Sequence, residues 1–314
     1  MMNSERRAVI DVGTNSIKLL VADVLGRDVR PIHEESRQTR LGQGFYQTHQ
    51  LQPESIARTA EAVGQFNHIA REKQAKAVRV IATSAARDAI NPLDLTTAIE
   101  RASGLKTEII SGAREAEWAF QGAATDRELA RQPLLLLDVG GGSTEFILGH
   151  GTRKYFGHSF PLGTVRLMEK FPVSDPPQPA EWQACQDWVR LFLQHEVRPQ
   201  LDPALKREGE FQLVGTGGTT SILARIEKQL AHFDRAQIES TVLTFDQVVA
   251  RRQSLWALPL AQRRELPGMP KQRADVILTG ILIYEAVMRE FGFRQLRVST
   301  RGLRFAAVMD GAGA

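Results

Sequence analysis

Apolar positions along the chain follow two rhythms. AVIDVG (8–13) and IKLLVADV (17–24) are short, almost continuous apolar runs joined by a polar turn, which predicts two buried strands. From Pro53, ESIARTAEAVGQFNHIAREK spaces its apolar residues three and four apart, the period of an amphipathic helix opened by proline. AVRVIATSAARDAIN (77–91) reads as a strand running into a loop and a helix, and TEIISGAREAEWAFQGAA (107–124) repeats that scheme with Ser111 and Gly112 at the junction. LLLLDV and TEFILG predict a further strand pair. The Pro-rich stretch 172–180 predicts a surface loop ahead of the helix EWQACQDWVRLFLQHEV. FQLVGTGGTTSILARI (211–226) is strand, glycine loop and helix, DVILTGILIYEAVMREFG a strongly apolar helix, and LRVST (296–300) a late strand. Strands alternating with helices indicate an α/β architecture.

One segment echoes another. DVGTNSIKLLV begins at Asp11 and DVGGGSTEFIL at Asp138; without gaps, the Asp, Val, first Gly and Ser coincide and apolar residues recur behind them. The separation is about one domain length, so the chain is expected to hold a duplicated core. Two strand–turn–strand devices in successive lobes are expected to face each other across a cleft, where ligands commonly bind.

Composition narrows the classes. A chain of 314 residues with 42% hydrophobic and 24% charged residues is an ordinary globular composition of about two domains. No run reaches the roughly 18 apolar residues of a membrane span, and MMNSERRAVIDVG lacks the apolar segment of a signal peptide. Cys185 is the single cysteine, which excludes internal disulfides and cysteine-cluster metal sites and fits a reducing, cytoplasmic setting; on its helix it reads as a core filler. The net charge of +4 suits an anionic ligand, with solvated surface charge as the alternative. Dense basic runs with interleaved aromatics are missing, so nucleic acid is not expected as a partner.

The glycine turns carry the chemistry. Asn-Gly or Gly-Gly turns can serve hairpin geometry alone. Here, however, Gly140, Gly141 and Gly142 are followed by Ser143 and Thr144, and the first turn offers Thr14, Asn15 and Ser16. Successive backbone amides with hydroxyl donors beside them make an anion nest. Asp138 and Glu145 flank the second turn, where carboxylates repel phosphate unless a cation such as Mg²⁺ lies between. Walker A and Rossmann patterns are absent. A third loop around Gly217 and Gly218 opens a helix that could hold a phosphate or a nucleotide, with helix–strand packing as the alternative. Arg87, at a strand-to-helix junction, could clamp phosphate or form a surface ion pair. Glu115, near a helix start, could be catalytic or merely complement the helix dipole. Lys18 and Arg273 are candidate contacts to a nucleotide's phosphates, or surface charges.

In these residues the chain resembles the exopolyphosphatase/guanosine pentaphosphate phosphatase (Ppx/GppA) family of the actin-like ATPase superfamily. The resemblance rests on AVIDVGTNSIKLLVADV, VIATSAARDAIN, IISGAREAEWAF, LLLDVGGGSTEFILG, SFPLGTVRL, LVGTGGTTSILA, RADVILTGILI and VSTRGLRFAAV, in order from residue 8 to 308. It implies two actin-like (ribonuclease H-like) domains with an interdomain cleft, at 1–125 and 126–300, with the segment from about 301 to 314 packing back on the first. It also implies hydrolysis of terminal phosphoanhydride bonds in polyphosphate or guanosine pentaphosphate with Mg²⁺ or another divalent cation, and a link to the stringent response. By the same resemblance Glu115 is the catalytic base, Arg87 contacts phosphate, and Asp138 and Glu145 are associated with the metal. Thr14, Asn15, Ser16, Gly141, Gly142, Ser143 and Thr144 line the phosphate channel. Two positions depart from the family pattern. Arg114 replaces the first Glu of the S-G-x-E-E-A motif, and the added positive charge is expected to bear on phosphate binding or on the base. Thr279 stands where Pro is usual. Long members carry a further helical domain; without a His-Asp dipeptide here, the two core lobes alone are expected, and processivity on long chains is not.

The resulting expectation is a hydrolase in which Glu115 activates water. The alternatives are a superfamily kinase or ATPase, and a non-catalytic sensor of polyphosphate or of guanosine penta- or tetraphosphate. Oligomeric state is not legible; the apolar helix from Val276 to Phe291 is core that could extend a homodimer interface.

Overall fold

The computed structural model describes residues 4–206 and 210–310. The chain divides into two compact units, Met1–Arg127 with Arg301–Ala314, and Glu128–Thr300. Of the C-terminal return segment expected from the sequence, 311–314 lies outside the described residues.

In the first unit, β1 (Glu5–Val12), β2 (Ser16–Leu25), β3 (Asp28–Gln38), β4 (Ala77–Ala82) and β5 (Thr107–Ile109) form one sheet in the order β3-β2-β1-β4-β5. The first three strands are antiparallel, and β4 and β5 add in parallel to β1. Alternation along the strands sends neighbours to opposite faces. Ile10, Leu19 and Val80 join one core under the helix Pro53–Glu72, whose Ile56, Ala60, Val63 and Phe66 recur at helical spacing. Val9, Leu20 and Ile81 join a second core with Trp118 and Phe305, so the helices Gly112–Ala123 and Leu303–Met309 cover the other face. That pair lies close because Gly122 has no side chain: a Cβ there would collide with the Gly302 carbonyl.

In the second unit, β6 (Leu134–Val139), β7 (Thr144–His150), β8 (Arg153–Phe160), β9 (Gln212–Thr216), β10 (Val242–Thr244) and β11 (Gln295–Val298) pair in the order β10-β11-β9-β6-β7-β8. With β10 set aside, β8-β7-β6-β9-β11 repeats the first unit strand for strand, antiparallel and parallel pairs included. This is the duplicated actin-like core. Leu134 to Leu137 are all buried, and Leu135 and Leu137 face the core that holds the helix Ile277–Phe291. The apolar helix Ile277–Phe291 is buried from Ile277 through Met288, so its apolar surface is consumed inside the unit's own core. Cys185 is buried in the same core, which pushes its thiol up to about 12. No helix among the described residues is long and apolar enough to cross a membrane.

Candidate active site

Both glycine turns are closed by the same bond. The Gly13 amide donates to the Ser16 carbonyl at 3.1 Å, and the Gly140 amide to the Ser143 carbonyl at 2.9 Å. A Cβ on either glycine would approach that carbonyl oxygen to 3.0 Å, which explains the glycine at both positions.

In the second unit the helix Thr164–Lys170 starts directly against the turn. The Thr164 amide donates to the Gly140 carbonyl, the amides of Val165 and Arg166 donate to the Gly141 carbonyl, and Arg166 Nε donates to the Gly142 carbonyl. In a trans peptide the amide points opposite to its carbonyl. With the carbonyls of residues 140–142 turned toward this helix, the amides of Gly141, Gly142 and Ser143 face the other way, as an anion nest requires. The Thr144 hydroxyl is fully buried and donates to the Leu162 carbonyl, so it serves the turn's packing. Ser143 Oγ donates to Glu145 Oε1 at 2.8 Å.

The first unit's turn carries three buried side-chain atoms without a hydrogen-bond partner: Asp11 Oδ1, Thr14 Oγ1 and Asn15 Nδ2. Buried polar atoms are nearly always satisfied, so a hydroxyl, an amide and a carboxylate oxygen left together mark a place prepared for a ligand. Burial raises the Asp11 carboxyl above its ordinary value, against the opposing pull of Lys18 and Arg304.

Arg87 ends the single turn Ser84–Arg87 that follows β4, and its Nη1 donates to Glu115 Oε2 at 2.9 Å and to the Ile110 carbonyl at 3.2 Å. The two side chains are 22% and 11% exposed. Ser111 caps the Glu115 helix by accepting from the Arg114 amide, and Glu115 lies in the first turn, where the helix dipole favours a carboxylate. The structure therefore brings together the two residues that sequence reasoning chose as phosphate clamp and base. Arg114 engages elsewhere: its Nη2 meets Asp310 at 2.5 Å, and its guanidinium lies 4.5 Å from the Trp118 ring centroid. The added charge is thus used to tie the Glu115 helix to the end of Leu303–Met309.

Strand register places the remaining candidates. Thr216, Asp138, Glu145 and Ser159 are direct partners across β9, β6, β7 and β8, a polar row on one face of the sheet. The corresponding row of the first unit runs Ile81, Asp11, Lys18 and Ser36. Lys18 thus holds the position that Glu145 holds in the second unit. The first carboxylate is opposed by a lysine, the second by another carboxylate. Among the described residues no group of three or more His, Cys, Asp and Glu gathers into a metal cage. Two adjacent carboxylates beside an amide nest fit Mg²⁺, which takes one or two carboxylates and completes its shell with water and phosphate.

Gly217 has φ +92°, and a Cβ there would lie 2.7 Å from Asp138 Oδ1; the glycine lets the loop pass over that carboxylate. A Cβ on Gly218 would collide with the Arg273 guanidinium, which burial holds below its ordinary value. Tyr284 Oη contacts the carbonyls of Thr216 and Leu137 at 3.2 and 3.3 Å, pinning β6 to β9 beneath Asp138; burial and the nearby Asp138 push this phenol well above its ordinary value. Sequence reasoning missed Asp11, Ser159 and Tyr284. The signal for Asp11 was present in the echo, which aligns it with Asp138; Ser159 and Tyr284 are placed by strand register and helix packing.

Known proteins resemble this chain along its length. The model of the Ppx/GppA phosphatase family matches residues 20–311. The exopolyphosphatase 2 of Mycobacterium tuberculosis is 36% identical over 324 residues, covering 98% of this chain and 99% of that one. Among solved structures, an exopolyphosphatase from Cytophaga hutchinsonii superposes with a TM-score of 0.87 at 28% identity, over 98% of this chain and 99% of that chain. The Ppx/GppA family member of Aquifex aeolicus gives 0.78 at 28% identity, over 98% and 97%. A match through both units, on a fold shared along the whole length, shows that this chain belongs to the Ppx/GppA phosphatase family.

Proposed function

We propose that the protein is an exopolyphosphatase: it hydrolyses the terminal phosphoanhydride bond of inorganic polyphosphate, with Glu115 as general base. The observation that carries this reading is the pairing of Arg87 with Glu115 at 2.9 Å, on a unit whose turn holds unsatisfied buried donors. A guanidinium that binds phosphate and also touches the base brings the phosphorus and the attacking water within reach of one another.

Phosphoryl transfer depends on positioning and charge neutralisation more than on covalent chemistry. In the first unit Arg87, the Thr14 hydroxyl and the Asn15 amide are the groups we assign to phosphate oxygens, and in the second unit the amides of residues 141–143. Glu115 accepts a proton from water as its oxygen bonds to the terminal phosphorus. The bridging P–O bond breaks, and its electron pair leaves with the shortened chain. Asp138 and Glu145 would hold Mg²⁺, which when bound neutralises phosphate charge. Arg273, seated at Gly218, is the residue we assign to a nucleotide's phosphates if guanosine pentaphosphate is also a substrate.

The test is phosphate release from long-chain polyphosphate, short-chain polyphosphate and guanosine pentaphosphate, with and without Mg²⁺, beside Glu115→Gln. Release from polyphosphate should require Mg²⁺ and fall by about 10²–10⁴ in kcat in the variant, with substrate binding retained. Unchanged release by Glu115→Gln would remove the base assignment. Binding of all three without release would make the protein a sensor, and transfer to an acceptor other than water would make it a kinase.

A further inference from the structure

We infer that Ser159 is a positioning residue for Glu145, fixing the carboxylate that holds the divalent cation; the inference rests on the metal role proposed above for Glu145. Glu145 is only 1% exposed, and a buried carboxylate depends on the donors around it. Ser143 and Ser159 both donate to Oε1, at 2.8 and 2.6 Å, and neither engages Oε2. Short hydroxyl–carboxylate bonds of this kind are charge-assisted and directional. Two of them on one oxygen set the plane of the carboxyl group and aim its other oxygen away from the serines.

The two serines differ in their support. Ser143 belongs to the glycine turn and is placed in the phosphate nest. Ser159 stands on β8, in register with Glu145 and outside the turn. The next residue anchors it: Phe160 is buried, edge-on to Phe146 at 5.4 Å and to Phe192 at 6.5 Å. The Ser159 hydroxyl is therefore presented from a strand end anchored by Phe160. Groups behind metal ligands typically change metal affinity by about 10–100-fold when removed.

The experiment measures Mn²⁺ binding from the electron paramagnetic resonance of the free ion, with inorganic phosphate present. It compares the wild-type chain, Ser159→Ala, Ser159→Thr and Glu145→Gln. Ser159→Ala should weaken Mn²⁺ binding by about 10–100-fold, whereas Ser159→Thr, which keeps the hydroxyl, should bind like the wild type. Polyphosphate hydrolysis by Ser159→Ala should need more Mg²⁺ for half-saturation and regain its kcat at high Mg²⁺. Wild-type Mn²⁺ affinity in Ser159→Ala, with binding weakened in Glu145→Gln, overturns the role of Ser159 alone. Wild-type affinity in both variants overturns the metal assignment of Glu145 beneath it.

Discussion

A single residue separates the two turns chemically. Asp11 and Asp138 are equivalent, yet the position opposite is Lys18 in one unit and Glu145 in the other. Lys18 sets a positive charge opposite the first carboxylate, whereas the second unit sets another carboxylate at the equivalent place. Even with Lys18 and Arg304 nearby, burial keeps the Asp11 carboxyl above its ordinary value near 3.8. The sign of the consequence follows from proton counting. Between the unfolded and folded values the native state holds the extra proton, so Asp11 lowers stability as pH rises through that window and keeps it lowered above. Asp11→Asn is therefore expected to raise Tm at neutral pH, by an increment that shrinks as pH falls toward 4 and below, while polyphosphate hydrolysis declines. Thermal unfolding across that range checks it, and an equal increment at every pH would contradict it. Stability given up at a functional position is a common trade.

Among the elements, those with strong apolar rhythm were legible and those without were not. The helix Pro53–Glu72, the strands β1, β2, β6 and β7, and the helix Ile277–Phe291 all carry uninterrupted or periodic apolar residues. β3 went unread because DVRPIHEESRQ is mostly exposed or half-buried polar sequence on an edge strand, held by pairing with β2 rather than by burial. β8, RKYFGHSF, is the equivalent edge of the second unit and escaped for the same reason, and Ser159 with it. The glycine turns stood out by residue type, whereas Arg87 and Glu115 each had a structural reading beside the functional one until the family resemblance favoured the site. The destination of Arg114 was not, since it depends on where the Leu303–Met309 helix ends. Arg114→Glu, which restores the family residue, sets a carboxylate against Asp310 and removes the contact with Trp118. Losing an exposed ion pair and a cation–π contact costs roughly 1–2 kcal/mol in all. A lower denaturation midpoint with an unchanged polyphosphate KM is the expected outcome. A large KM change with unchanged stability would return Arg114 to the site.

For the molecule as a whole, duplication explains the division of labour. Each unit repeats the same five-strand order, so each presents a glycine turn at the same place in its sheet. On the function proposed above, divergence gave base and clamp to one copy, through Glu115 and Arg87, and the carboxylate pair to the other, through Asp138 and Glu145. The proposed hydrolysis requires that the new oxygen on the released phosphate come from solvent and that Glu115 accept the proton. The most direct measurement is a reaction with polyphosphate in H₂¹⁸O with Mg²⁺, followed by mass spectrometry of the phosphate released by the wild type and by Glu115→Gln. One ¹⁸O per phosphate from the wild type, and only trace labelled product from the variant, is the predicted result. Release without ¹⁸O, or labelled product formed equally fast by Glu115→Gln, would contradict the account.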